Sequence, residues 1–292
     1  MEWWQAIILG LVEGITEYLP ISSTGHLIIA SSLMGLNDPV DREAVNAFNI
    51  VIQGGAILAV LGLYWSSIVR MGRGLLGRDP AGRRLAMALL VGFAPAAIMG
   101  ALLDAWIERN LFALGPVVVS LALGGVFMIA LDRRIVAPGR LSERAGQAPG
   151  LPEVTLGQAL FIGLLQCIAM WPGTSRSMMT ISGGVLVGLR PRQAAEFSFL
   201  LGLPTLGGAT VYKLVKNLKD SEAAGTPNLF EALGWGNVVL GVVVATISAM
   251  FAVKWLVRFL NRRGLEPFGW YRLGLAGVLL ALGLAGVVEV VG

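Results

Sequence analysis

Two stretches decide the fold: residues 3–35, WWQAIILGLVEGITEYLPISSTGHLIIASSLMG, and residues 156–189, LGQALFIGLLQCIAMWPGTSRSMMTISGGVLVGL. Each is apolar, breaks at a Pro followed by clustered hydroxyl side chains, and turns apolar again. Pro20 divides the first stretch into pieces of about 15 residues, near 22 Å as helix at about 1.5 Å per residue. The hydrocarbon of a bilayer is about 30 Å thick. Such pieces are short for a full crossing, and each stretch reads as a helical hairpin. The two also resemble each other. Gln5-Ala6-x-x-x-Gly10-x-x-Glu13, then Pro20-x-Ser22-Ser23-Thr24, parallels Gln158-Ala159-x-x-x-Gly163-x-x-Gln166, then Pro172-x-Thr174-Ser175-Arg176, with one single-residue gap. Downstream, Phe48 to Ala59 lines up more loosely with Phe197 to Ala209.

Outside the hairpins, six apolar stretches are long enough to cross a bilayer, which takes roughly 20 residues: about 44–65, 85–103, 111–131, 195–215, 236–257 and 269–289. The composition agrees. Of 292 residues only 14% are charged while 55% are hydrophobic, and the mean hydropathy is +0.74. A soluble domain carries roughly 25% charged residues, so water is not this chain's main solvent. A secreted disulfide scaffold, a disordered tail and a nucleic-acid-binding domain are excluded. The single Cys167 cannot form an internal disulfide. Met-Glu-Trp-Trp at the start has no basic region ahead of its apolar run, so no removable signal peptide is expected.

The expected class is an all-α polytopic membrane protein, an inverted-topology repeat with six transmembrane helices and two re-entrant helical hairpins. Residues 1–145 form the first repeat and 150–292 the second, together one membrane domain. A hairpin returns to its starting side, and three crossings then invert the second half. Loops 66–84, 132–155, 190–192 and 254–268 fall on one face. They carry Arg70, Arg73, Arg78, Arg83, Arg84, Arg133, Arg134, Arg140, Arg144, Arg190, Arg192, Lys254, Arg258, Arg262 and Arg263, with Arg272 at the edge. The other face has Arg42, Arg109, Lys213, Lys216 and Lys219. The positive-inside rule then places both termini outside. The net charge of +4 is topology; it does not make a nucleic-acid patch.

Ionisable groups at bilayer depth cost several kcal/mol each and mark function by default. Asp104, Asp132, Glu289 and Lys254 lie near span ends, where snorkelling accounts for them, and Glu196 is evenly balanced. A lone Ser or Thr in an apolar helix usually bonds back to its own carbonyls. Glu13, Glu17, Ser22, Ser23, Thr24 and His26 within one hairpin are not explained that way, nor is Arg176 in the other. Glu13 and Glu17 share a helix face, as do Ser22 and His26, and Ser23 lies three residues from His26. Each Pro precedes a hydroxyl-rich helix start, whose free N–H groups and dipole favour an anion, most naturally phosphate. Arg176 adds a planar fork for phosphate oxygens. Paired carboxylates suit a divalent cation bridging to phosphate. No Walker loop, His-rich zinc pattern or dinucleotide fingerprint is present. Hairpins that stop halfway bring both tips to the midplane, an arrangement known from transporters, with the six spans burying their backbone.

The segments EGITEYLPISSTGH, residues 13–26, and PGTSRSMMT, residues 172–180, resemble the two signature motifs of the undecaprenyl-diphosphate phosphatase family linked to bacitracin resistance. The likeness covers essentially the whole chain, including Ala195 to Leu201. It implies a multi-pass enzyme of the bacterial plasma membrane with an outward-opening active site. Such an enzyme removes one phosphate from a polyprenyl diphosphate lipid and recycles the carrier for peptidoglycan synthesis, hence for cell-wall biogenesis and cell shape. It also implies a need for Mg²⁺ or Ca²⁺, and leaves a homodimer open. Carried over by motif position, Ser23, His26, Glu17 and Arg176 are the catalytic residues. Ser22, Thr24, Ser175, Ser177 and Thr180, again with Arg176, bind substrate, and Glu13 and Glu17 hold the metal. Met178 departs from the family pattern, which usually has Gly there. The nucleophile stays open between Ser23 with His26 as base, a water activated by His26 or a Glu, and His26 itself. The competing function is an inverted-repeat transporter or lipid flippase for a phosphorylated substrate, since fold does not fix function.

Overall fold

The computed structural model describes residues 1–36, 39–136, 153–225 and 227–288, without the side chains of residues 39–44, Asp104, Ala105, Glu108, Asp220, Ala224 and Asn261. Arg140, Arg144 and Glu289, and the side chains of Arg42 and Asp104, therefore lie outside the described part. Among the described residues there are α-helices, a π-helical turn (Asp132–Val136) that continues the helix Leu114–Leu131, and no strand. In chain order the α-helices are α1 (Trp3–Thr16), α2 (Ser23–Leu33), α3 (Pro39–Leu63), α4 (Trp65–Leu75), α5 (Pro80–Leu111), α6 (Leu114–Leu131), α7 (Leu156–Ile168), α8 (Arg176–Leu186), α9 (Pro191–Ala224), α10 (Leu229–Leu233), α11 (Trp235–Arg263) and α12 (Glu266–Leu284).

Six of these are long and apolar enough to cross a membrane: Val45–Leu63, Pro80–Leu103, Leu114–Val136, Pro191–Ala223, Trp235–Leu260 and Glu266–Leu284. All six expected stretches are accounted for. Only 33% to 50% of each span is buried inside the protein, so much of the apolar surface is left for lipid. The exposed side chains include Leu58, Leu102, Val126, Val211, Phe251 and Leu284, with Trp65, Trp106, Trp235 and Trp270.

Residues 3–35 and 156–189 each form a short helix, a break and a second short helix. Their details agree residue for residue. Glu2 N–H donates to Gln5 Oε1 at 2.7 Å and Thr155 N–H to Gln158 Oε1 at 2.9 Å, reciprocal caps that start α1 and α7. The amides of the same glutamines reach the ends of the hairpins. Gln5 Nε2 donates to Met34 O at 3.4 Å and Gln158 Nε2 to Val187 O at 3.0 Å. Both second helices stop at a left-handed glycine, Gly35 and Gly188, where Leu36 N bonds Ser31 O and Leu189 N bonds Gly184 O. Gln5 and Gln158, Ser22 and Ser175, Gly35 and Gly188 are each 153 residues apart. The hairpins therefore correspond without the gap that the two prolines suggested. Pro20 answers to Gly173, not to Pro172.

Close backbone approach seats both hairpins in the bundle. A Cβ on Gly10 or Gly14 of α1 would run into Gly241 O, or into Ser248 and Ala245 O, of α11; one on Gly163 of α7 would run into Gly92 O of α5. These crossings hold α1 and α7 close enough to their neighbours for the breaks to sit inside the molecule. Two elements were not expected. Residues 66–84 read as a loop, yet α4 occupies most of its first half. Trp65 and Leu75 lie exposed on α4, and Arg70 pairs with Asp79 at 3.2 Å. Its apolar residues recur at helical spacing over too few turns to register as a span. The five-residue α10 is capped by Asn228, whose Oδ1 accepts from Phe230 N and Glu231 N.

Candidate active site

The two breaks meet in the interior. Each ends in a serine with left-handed backbone, Ser22 at φ 74° and Ser175 at φ 74°, a conformation costing roughly 1–3 kcal/mol outside glycine. Their side chains cap the helices that follow. Ser22 Oγ accepts from Gly25 N at 3.4 Å and Ser175 Oγ from Met178 N at 3.3 Å. Other first-turn N–H groups of α2 and α8 have no intrahelical acceptor, and the positive ends of both helix dipoles lie here.

Glu17, in the first break, joins the two helix starts. Its Oε2 accepts from Ser23 Oγ at 2.9 Å and from Gln53 Nε2 at 3.4 Å. Its Oε1 accepts from Arg176 Nη2 at 3.2 Å. The pair is nearly dry, with 5% of the Glu17 side chain and 9% of the Arg176 side chain exposed. Arg176 Nη1 donates to Ser198 O at 2.9 Å, and its guanidinium lies 5.4 Å from the Tyr18 ring centroid, over the ring. Tyr18 is held in turn by Ala56 O at 3.0 Å. Ser177 Oγ donates to Leu19 O at 2.9 Å, tying α8 to the first break. With that single proton committed, Ser175 is the donor of the 3.0 Å bond between the two hydroxyls. Thr180 Oγ1 bonds Ser198 Oγ at 2.6 Å.

A cavity of about 640 Å³ opens onto this cluster, lined by Glu17, Ser22, Ser23, Thr24, Gln53, Gln166, Ser175, Arg176 and Thr205. Its remaining wall is mostly apolar: Phe93, Ala96, Ala97 and Ala101 of α5, Met170, and Leu206 and Ala209 of α9. Pro95 and Pro204 break the hydrogen-bond ladders of α5 and α9 beside that wall. Tyr212 and Lys213 stand on the same lining.

The structure thus gathers Glu17, Ser22, Ser23, Thr24, Ser175 and Arg176 around one cavity, with Ser177 and Thr180 fully buried behind them. Glu13 is also behind, 1% exposed, and neither carboxylate oxygen has a hydrogen-bond partner. His26 points elsewhere. Its Nδ1 lies 2.7 Å from Ser22 O and its Nε2 2.7 Å from Tyr271 OH. It lines a second, apolar groove with Trp255, Phe259 and Phe268. The hydroxyl of Ser23 is bonded to Glu17, with His26 one turn further along α2. Met178, at the usual glycine position, is 1% exposed and its side chain is packed in the core, so the start of α8 is formed as at α2.

Sequence reasoning gives several residues of this site no role: Tyr18, although it lies within the 13–26 motif, Ser198, although it lies within Ala195 to Leu201, and Gln53, which lies outside every motif. Arg272, grouped by sequence with the loop cations, is fully buried and donates to Ser120 O at 3.1 Å and Gly173 O at 2.9 Å.

Among the described residues no group of three or more His, Cys, Asp or Glu could hold a metal ion alone. The unpartnered Glu13 carboxylate, one turn from Glu17, does fit a hard cation that takes few protein ligands and completes its shell with water and phosphate.

A bundle with six helices long and apolar enough to cross a membrane, in which two polar helix starts face each other across a buried carboxylate–guanidinium pair, defines a polytopic membrane protein with a charged internal cavity. The family model described as bacitracin resistance protein BacA matches residues 6–278, and the chain belongs to that family. Among its relatives is an undecaprenyl-diphosphatase of Sorangium cellulosum, 44% identical over 97% of this chain and 87% of its own. Proteins of the same name from Deinococcus deserti (40% identical, over 99% of this chain and 98% of theirs) and Geobacillus kaustophilus (37%, over 97% and 98%) are similar throughout.

Proposed function

We propose that the chain hydrolyses undecaprenyl diphosphate to undecaprenyl phosphate and phosphate, recycling the lipid carrier of peptidoglycan synthesis and conferring bacitracin resistance. The observation that carries this is the continuous Ser23–Glu17–Arg176 contact between two helix starts, at the polar end of a cavity otherwise walled by apolar side chains. Arg176 and the first-turn N–H groups hold the diphosphate. Ser23 Oγ attacks the terminal phosphorus while Glu17 takes its proton, since a serine needs an adjacent base. The bond from that phosphorus to the bridging oxygen breaks, and Glu17 passes the proton to the departing lipid monophosphate. Glu17 then takes a proton from water as the water attacks the phosphoserine, and returns it to Ser23 Oγ. Glu13 and Glu17 would hold a divalent cation such as Mg²⁺ or Ca²⁺, which when bound neutralises phosphate charge. The geometry favours Glu17 over His26 as the base, because both imidazole nitrogens are engaged away from Ser23.

The same reading takes residues 1–145 and 150–292 as inverted repeats whose hairpins re-enter only to the midplane. The constant 153-residue spacing and the meeting of the two tips support it. With Arg272 buried, the basic loops still outweigh the opposite face, which supports termini and cavity facing outward from the bacterial plasma membrane. The test is phosphate release from a C55 diphosphate by purified protein in detergent, with and without chelator. Turnover that chelation abolishes is expected. Binding without turnover, where no membrane gradient exists, would favour transport instead.

A further inference from the structure

The strained serines need an external hold, because such conformations persist only where the surroundings over-determine them. Two consecutive residues of α12 provide it. Ser22 O is a pure acceptor, so the 2.7 Å contact requires a proton on His26 Nδ1. In the neutral ring Nε2 is then the acceptor, and Tyr271 OH is its 2.7 Å donor. The two rings lie nearly parallel, 9° apart with centroids at 5.6 Å. At the other tip Arg272 Nη2 donates to Gly173 O at 2.9 Å, just before Ser175. The neighbouring Pro172 O accepts from Ser120 Oγ at 2.6 Å, and Ser120 O is the second acceptor of Arg272 Nη2 at 3.1 Å. Arg272 is fully buried, with Nε and Nη1 unpartnered, so Nη2 alone makes its hydrogen bonds to this tip. The second hairpin has Met179 at the place of His26, and its tip is held directly from α12.

We propose that Tyr271 and Arg272 are positioning residues that set the two tips against each other. Tyr271 acts through His26 on the Ser22 carbonyl, and Arg272 acts on the Gly173 carbonyl. Ser23 and Arg176, the first helical residues after each tip, are thereby aimed at one phosphate. His26 is a strut in this scheme and does not titrate during turnover. The proposal rests on the phosphatase reading: an inactive wild-type protein would fail that reading, whereas the inference is judged by variants of an active one.

The experiment is kcat and KM for His26→Asn, His26→Leu, Tyr271→Phe and the double variant His26→Asn/Tyr271→Phe, in detergent on a C55 diphosphate. Asn places an N–H donor near the Nδ1 position and has no titrating nitrogen. His26→Asn is expected within about fivefold of wild-type kcat and His26→Leu about 10² lower, both with KM changed less than about threefold. Tyr271→Phe is expected to lower kcat about fivefold alone and not at all on top of His26→Asn, since paired groups are non-additive. His26→Asn as inactive as His26→Leu, or Tyr271→Phe without effect on kcat, would overturn the strut. At the second tip, Arg272→Lys, which keeps a donor, should retain more kcat than Arg272→Met. Should Arg272→Met not fold, Ser120→Ala, which frees the Pro172 carbonyl, should lower kcat at unchanged KM. Wild-type kcat in Arg272→Met, or in Ser120→Ala where that variant stands in, would overturn the hold on Gly173.

Discussion

The hairpins at residues 3–35 and 156–189 make the same turn with different side chains. Where the first has Glu13, Glu17, Ser23 and His26, the second has Gln166, Met170, Arg176 and Met179. What they keep in common is mechanical: the glutamine that ties start to end, the left-handed serine cap, and the glycine that stops the second helix. What they do not share is charge. Two carboxylate-bearing tips would repel a phosphate, and two guanidinium tips would hold it without a base. In the proposed reaction, a recurring scaffold with divided chemistry puts the nucleophile and its base on one side of the phosphate and the cation on the other.

That division predicts unequal consequences for changes at equivalent places. Glu17→Gln should be the most damaging, since it removes the proton acceptor and leaves the buried Arg176 uncompensated. A fall in kcat of about 10³ is expected, within the usual range for a lost acid–base group, whereas a change at the matching Met170 to Leu should be nearly silent. Equal effects at the two positions would abolish the distinction. Arg176→Lys comes next. It keeps the charge and loses the two-pronged geometry, so kcat/KM should drop about 10- to 100-fold; steady-state assays with full activity would remove the guanidinium from phosphate binding.

The shared scaffold makes a milder prediction. Ser22→Gly and Ser175→Gly each relieve a left-handed backbone and lose a capping hydroxyl. The first gain is about 1 kcal/mol or more and the second loss a few tenths, so thermal unfolding midpoints should hold or rise in both. Clear destabilisation of only one would mean that the two caps are not mechanically equivalent. The smallest effect is expected far from both tips, at the start of α5. The Gly82 N–H, at 2.8 Å, and the Arg70 guanidinium hold the Asp79 carboxyl below its ordinary range. A depressed carboxylate stabilises the fold above its unfolded pKa, and the effect fades as pH falls through the folded value. Asp79→Ala should thus lower the unfolding midpoint slightly at neutral pH, with the difference from wild type shrinking in acid and turnover unchanged. A midpoint difference that grows on acidification would refute that cap.

Much of this is legible in the sequence. Long apolar runs name the six spans because lipid demands them, and Pro20 and Pro172 with their hydroxyl clusters name the two breaks. Two things were not legible. The partner of Ser23 sits at the opening of the break, where α1 ends, and no helical period crosses a turn, so spacing suggested His26 where the fold supplies Glu17. Arg272 sits six residues into α12, near a span end, where a cation usually snorkels. Only the packing of α12 on α6 and the position of Gly173 reveal that it points inward. The prolines also misaligned the repeat by one residue, because the feature that recurs is the left-handed serine and not the ring.

In the proposed reaction Ser23, activated by Glu17, attacks the phosphate that Arg176 holds. The most direct measurement is phosphate release from a C55 diphosphate in detergent by Ser23→Ala, beside wild type and the Ser23→Ala/Glu17→Gln double variant. A kcat about 10³ lower is expected for the single variant, with little further loss in the double, because the two side chains act as one unit. A Ser23→Ala protein turning over within about threefold of wild type would contradict that attack.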